Sequence, residues 1–211
     1  METHLLITYL IAITVLSITP GLDTMLVIRN TARSGWRDGV TSSFGICSGL
    51  FVHASVSAVG ISLILLQTAW AFAGLKMAGA CYIVWLGIGS LRKLFQETAA
   101  PIAGEVATVQ QPFQMGRSLR EGLLSNVLNP KTVVFYMAFL PQFINPQHSA
   151  WVQSLILAGL HFIIAMIWQS FLALLVVQAQ NRVFQPKVGK IFDGLTGTIL
   201  VSLGIKLALD S

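Results

Sequence analysis

Formal charge is scarce in this chain, and the scarcity is uneven. Residues 39–75 contain no Asp, Glu, Lys or Arg, and neither do residues 132–181. Charged residues make up 10% of the 211 positions and apolar residues 55%, whereas a soluble domain carries roughly 25% charged residues. Mean hydropathy is +0.75. A charge-free run of fifty residues exceeds one membrane span of about 20 residues, so residues 132–181 must hold two spans or parts of them. These absences exclude an ordinary soluble domain. Six spans with short connections would occupy nearly the whole chain.

Cysteine is also rare. Cys47 and Cys81 both lie in apolar segments and form no CxxC, zinc-ligand or secreted-disulfide pattern. No HExxH, P-loop, GxGxxG or nucleophile–base set is present. No enzyme, cofactor or metal site is expected, and any uphill movement of solute must draw on an ion gradient rather than nucleotide. The start, Met1-Glu2-Thr3-His4, lacks a basic signal-peptide region, so the apolar run from Leu5 is read as a retained first span.

The net charge of +5 is distributed in a way that excludes nucleic acid. Arg29, Arg33 and Arg37 form one group; Arg92, Lys93, Arg117 and Arg120 a second; Arg182, Lys187 and Lys190 a third. The three groups fall in alternate connections, as cytoplasmic loops do under the positive-inside rule. Spans are expected at about 5–33, 39–66, 69–91, 119–140, 150–178 and 189–209. Pro141-Gln142-Phe143-Ile144-Asn145-Pro146 would turn between the fourth and fifth. Both termini then lie outside. The expected organisation is a single all-α integral membrane domain over 1–211: repeat 1 at about 5–91, a cytoplasmic linker at about 92–118, and repeat 2 at about 119–209. Three spans per half would make the halves inverted repeats.

Small residues supply a packing signal. Gly35/Gly39 and Gly45/Gly49 are each four apart, placing them on one helix face where backbones approach closely in lipid. Gly79, Gly87, Gly194, Gly197 and Gly204 would do the same in spans 3 and 6. Lys76 and Gln67 read as outer-interface residues, and Trp70, Trp85, Trp151 and Trp168 as interface or packing residues.

Two spans must break. Thr19-Pro20-Gly21-Leu22-Asp23-Thr24 interrupts the first, and Asn126-Val127-Leu128-Asn129-Pro130-Lys131-Thr132 the fourth. Proline removes a donor and clashes with the preceding turn, freeing carbonyls that lipid cannot satisfy. Paired breaks in two halves point to a transporter's central site. Stopping at Thr19 would leave about 22 Å of helix, short of the roughly 30 Å hydrocarbon core. The span therefore continues, carrying Asp23 to membrane depth as a candidate ion or substrate group; the other reading of Asp23 is a helix cap. Lys131, in mid-span, needs Asp23, a freed carbonyl or an anionic substrate. Asn126 and Asn129 would share a face, and Thr19, Thr24 and Thr132 add hydroxyls. The set suits a zwitterion. His53 and His161, within spans 2 and 5, are candidate proton relays or satisfied structural histidines.

These motifs resemble the LysE/RhtB family of amino-acid exporters. The matching segments are SITPGLDTMLVIRNTARSGWRDGV at 17–40, GICSGLFVHASVSAVGI at 45–61, LKMAGACYIVWLGIGSLR at 75–92, GLLSNVLNPKTVVFYMAFLPQF at 122–143 and GLTGTILVSLGIKLAL at 194–209. One departure stands out: the family's Pro-Gly-Pro is here Pro20-Gly21-Leu22, which should permit a milder break. The resemblance implies proton-coupled export of amino acids or close derivatives across the bacterial inner membrane. It also implies roles in the path for Pro20, Gly21, Asp23, Asn126, Asn129, Pro130 and Lys131. Expected partners are a small amino-acid substrate, protons and membrane lipid, with a homo-oligomer compatible and nucleic acid excluded. The competing classes are a membrane thiol–disulfide electron carrier, which would need cysteines at the breaks, and a passive small-solute channel.

Overall fold

The computed structural model describes residues 3–65 and 111–179, with isolated helical positions at 77, 81, 84, 85, 88, 91, 92, 198, 201, 202 and 205. Regular structure among the described residues is entirely helical. In chain order it comprises α1 (Thr3–Ile18), α2 (Leu22–Ser34), α3 (Trp36–Leu65), α4 (Met115–Val127), α5 (Pro130–Val134) and α6 (Ala150–Ala179). The chain leaves α5 through a π-helical turn, Phe135–Phe139, and a 3-10 turn, Leu140–Phe143. Most of spans 3 and 6 and of the linker lie outside the described residues, as do Gln67, Trp70, Lys76, the glycines assigned to those spans and the basic group at 182–190.

Both expected breaks are present. α1 and α2 bend by 50° across residues 19–21, and α4 and the helix running from Pro130 to Phe143 bend by 52°. α3 over Trp36–Gly60 and α6 over Ala150–Gln178 are unbroken and long and apolar enough to cross a membrane. α3 starts at Trp36 rather than about 39, because Asp38 in its first turn is held by the Arg33 guanidinium and need not face solvent. α4 starts at Met115 rather than about 119, its first turns carrying an Arg117–Glu121 pair one turn apart. The helix from Pro130 also reaches Phe143, so the turn expected from Pro141 is shorter than its sequence span.

The largest core lies between α1, α3, the Phe135–Phe143 turns and α6, with Tyr9, Ile13, Leu50, Tyr136, Phe139 and Ala158 at its centre. Tyr9 Oη donates to Leu157 O at 3.0 Å, and Ser57 Oγ donates to Tyr136 O at 2.7 Å within the π turn. Ile156, Ile163, Ile167 and Phe171 of α6 point outward and are exposed, as lipid-facing side chains must be. Trp151 and Trp85 are also exposed.

The glycines divide by job. A Cβ on Gly122 would strike Ser42 O, one on Gly45 would strike Leu119 O, and one on Gly49 would strike the Asn126 side chain. These three let the α3 and α4 backbones touch. Gly39 packs against Thr31 and Ala173. Gly35, expected to pack as Gly39 does, instead ends α2: its φ is 81° and nothing lies within 4 Å of where its Cβ would be. Its left-handed conformation, natural to glycine at a helix C-terminus, turns the chain from α2 into α3.

Candidate functional site

At the first break the backbone has no cap of its own. α1 ends with Thr19 N–H on Val15 O at 2.9 Å, and Thr19 Oγ1 on the same carbonyl at 2.7 Å. Residue 20 is proline, so Leu16 O loses the donor four residues ahead that a continuous helix supplies. Gly21, ahead of α2, has extended backbone and makes no side-chain cap. The missing donors come from the other half of the chain. Lys131 Nζ donates to Leu16 O at 3.0 Å and to Thr19 O at 2.9 Å. A cation at a helix C-terminus also meets the negative end of the helix dipole. Gly21 lies against it: a Cβ there would be in van der Waals contact, 3.4 Å from Lys131 Nζ.

The second break is capped locally. α4 ends at Val127, and Asn129 Oδ1 accepts from Lys131 N at 3.1 Å, an N-cap with Pro130 in the first helical turn. The Asn126 carbonyl has the same deficit as Leu16, since residue 130 has no N–H. It accepts instead from Asn129 N at 2.9 Å and from His53 Nε2 at 3.0 Å. A carbonyl only accepts, so Nε2 of His53 carries a proton.

Asp23 joins the breaks. It lies in the first turn of α2 and reaches across to the end of α4. Its Oδ1 accepts from Ser125 Oγ at 2.8 Å, and its Oδ2 accepts from Asn126 Nδ2 at 2.9 Å and Asn129 Nδ2 at 3.0 Å. Asp23 does not cap α2 but is a carboxylate gripped by three donors around the second break, two on α4 and one at the N-cap of α5. Asn126 Nδ2 also lies 3.4 Å from Thr132 Oγ1, and Asn126 Oδ1, buried beside Gly49, has no partner among the described residues.

Pro20, Gly21, Asp23, Asn126, Asn129, Pro130 and Lys131 thus form one cluster, with Thr24 half-buried next to Asp23 on α2. Of the three partners considered for Lys131, freed carbonyls are bonded to it. His53 joins through the Asn126 carbonyl. His161 stands one layer away, its Nδ1 3.1 Å from Tyr136 Oη and its ring parallel to that of Tyr136. The free cysteines are not at the breaks: Cys47 is buried in α3 and Cys81 is exposed. Among the described residues no three His, Cys, Asp or Glu side chains gather as metal ligands.

The sequence reading missed Ser125 and a charged cluster beside the site. Arg33 forks onto Asp38 at 2.9 and 3.0 Å and onto Glu121 at 3.1 and 3.2 Å. Glu121 also takes Arg29, Arg117 and Asn30, each at 2.8–2.9 Å, and Ser118 Oγ donates to Asp38 Oδ1 at 2.5 Å. Arg33, expected in a basic cytoplasmic connection, has a side chain only 12% exposed, and that of its partner Asp38 is 0% exposed. Arg29 and Arg33, four apart on α2, share a face, and that spacing was the available signal.

The family model for LysE type translocators matches residues 14–211. The chain is 34% identical over 210 residues to an uncharacterized membrane protein, YrhP, of Bacillus subtilis, covering 98% of this chain and 100% of that one. It is 32% identical over 200 residues to a homoserine/homoserine lactone efflux protein of Salmonella typhimurium, with 95% and 94% covered. It is 26% identical over 193 residues to a threonine efflux protein of Escherichia coli, with 91% of each chain covered. No solved structure matches the chain.

Proposed function

The chain belongs to the LysE type translocator family, and from that premise we propose that it is a secondary active exporter of amino acids or close derivatives, driven by protons crossing the bacterial inner membrane. The observation that carries this reading is the interlock of the two breaks: an ammonium, Lys131, on the carbonyls that end α1, and a carboxylate, Asp23, on the hydroxyl and amides that flank the second break. A zwitterion has the complementary groups. Its carboxylate would take Lys131 in competition with Leu16 O and Thr19 O, and its ammonium would take Asp23 in competition with Asn126 and Asn129. Homoserine and threonine, named in two relatives, are the first substrates to test.

In this reading Asp23 takes a proton from outside as substrate leaves and returns it inward when substrate rebinds. The breaks serve as hinges for alternating access. Six spans in two inverted repeats, 5–91 and 119–209 joined by a cytoplasmic linker, would place both termini outside. The similar bends of 50° and 52°, each leading to an unbroken helix of 30 residues, support that pairing.

Purified protein in proteoliposomes loaded with homoserine or threonine provides the test. Export should saturate with substrate and accelerate when the receiving side is acidic. Asp23→Asn should lose the acceleration while keeping some downhill exchange. Non-saturating flux indifferent to pH would overturn the carrier in favour of a channel. Loss of all activity in the doubly substituted C47A/C81A chain would favour the electron carrier.

A further inference from the structure

We infer that Gly49 and His53 form a seat on α3 that positions Asn126, and through it Asp23, and that His53 acts there as a fixed hydrogen-bond donor rather than as a proton carrier. The inference rests on the reading of Asp23 as the coupling carboxyl.

Gly49 and His53 are one helical turn apart on α3 and face the end of α4. They hold Asn126 by its two halves. A Cβ at Gly49 would lie 2.6 Å from Asn126 Oδ1 and 3.0 Å from its Cβ, so only glycine lets the amide lie against α3. His53 Nε2 takes the carbonyl of the same residue at 3.0 Å. That carbonyl is the one Pro130 leaves without its i+4 donor; Asn129 N–H takes one of its lone pairs at 2.9 Å and His53 the other. The ring is buried, at 5% exposure, as is Asn126 at 2%.

The same geometry argues against proton traffic between His53 and Asp23. The proton on Nε2 points at a peptide carbonyl, and among the described residues the link from there to Asp23 runs through the Asn126 amide N–H. Neither an amide N–H nor a peptide carbonyl exchanges protons readily between a carboxyl and an imidazole. What passes from His53 to Asp23 is therefore position. Among the described residues, the charged and titratable groups around this assembly are Asp23 on α2, Cys47 on α3, Lys131 on α5, Tyr136 in the π turn, whose ring centroid lies 5.7 Å from that of His53, and His161 on α6.

The experiment is the dependence of export rate on receiving-side pH in proteoliposomes, for the wild type and for His53→Gln, His53→Ala, Gly49→Ala and Asp23→Asn. Glutamine places an N–H near the position of Nε2 but does not titrate. His53→Gln should keep the wild-type pH profile. His53→Ala should move its midpoint and slow export by about tenfold, the scale of one buried hydrogen bond. Gly49→Ala, if it inserts and melts as a folded protein, should resemble His53→Ala. Loss of pH acceleration in His53→Gln as complete as in Asp23→Asn would make His53 a proton carrier and overturn the proposal. A wild-type profile in His53→Ala would overturn it equally. If Asp23→Asn keeps full acceleration, it is the coupling role of Asp23 that fails. The seat is then judged on KM, which His53→Ala should raise and His53→Gln should not; equal KM values in the two would remove it.

Discussion

The two breaks begin from one backbone defect and repair it differently. Pro20 deprives Leu16 O of a donor, and Pro130 deprives Asn126 O. The first carbonyl is filled by an ammonium from 115 residues away, and the second by the nearby Asn129 N–H together with an imidazole from 73 residues away. The second break also caps itself through Asn129, whereas Gly21 provides no side chain at all. One break is therefore nearly self-sufficient, and the other depends on its counterpart. The comparison teaches that Lys131 belongs structurally to α1 although it is carried by α5. Any ligand that draws Lys131 away exposes the end of α1.

The comparison is broken most severely by Lys131→Met. It strands two carbonyls at about 1–3 kcal/mol each, so the thermal midpoint should fall and export should drop at least about 100-fold. Transport at wild-type rate would show that the first break needs no help. A mutant cycle sharpens the parallel between Lys131 and His53. Pro130→Ala returns an N–H to the Asn126 carbonyl, so His53→Ala, which leaves Asn129 N–H on that carbonyl, should cost about 0.5–1.5 kcal/mol of stability in the wild type and much less in the Pro130→Ala background. Equal costs in both, measured by thermal unfolding in detergent, would separate His53 from the proline defect. Asn129→Ala removes the local cap and one donor to Asp23, for about 1 kcal/mol and a several-fold rise in KM. Ser125→Ala should have the smallest effect, a loss of about 0.5–1.5 kcal/mol with pH-driven export retained, because two amides still hold Asp23.

What was legible in the sequence follows from this defect. Proline announces its own position, so both breaks and the unbroken α3 and α6 could be read from Pro20, Pro130 and the charge-free run that follows each. The partner that repairs a freed carbonyl is set by helix packing across more than a hundred residues, and no local pattern names it. Lys131 could be given three partners, but choosing among them needed α1 beside α5. The charged cluster hid for a related reason. Arg33 resembles any basic residue near a span end until Asp38 and Glu121 are seen folded against it, and that pairing lets α3 and α4 begin earlier than their charges suggested. Gly35 and Gly39 have identical spacing to a true packing pair, yet the chain reverses between them, so spacing misassigned one of the two.

The glycine contacts between α3 and α4 have a mechanical consequence. Gly122 lies on Ser42 O, Gly45 on Leu119 O and Gly49 on Asn126, so each helix is notched into the other at several heights. Helices separated by flexible side chains can shear by changing rotamers, but backbones in direct contact have no such compliance. Sliding by even a fraction of a turn would drive carbonyls into Cα atoms. α3 and α4 must therefore travel as one strut, with Asn126 in a fixed place on it. In the proposed carrier, the opening motion therefore falls to the bends at residues 19–21 and 128–130.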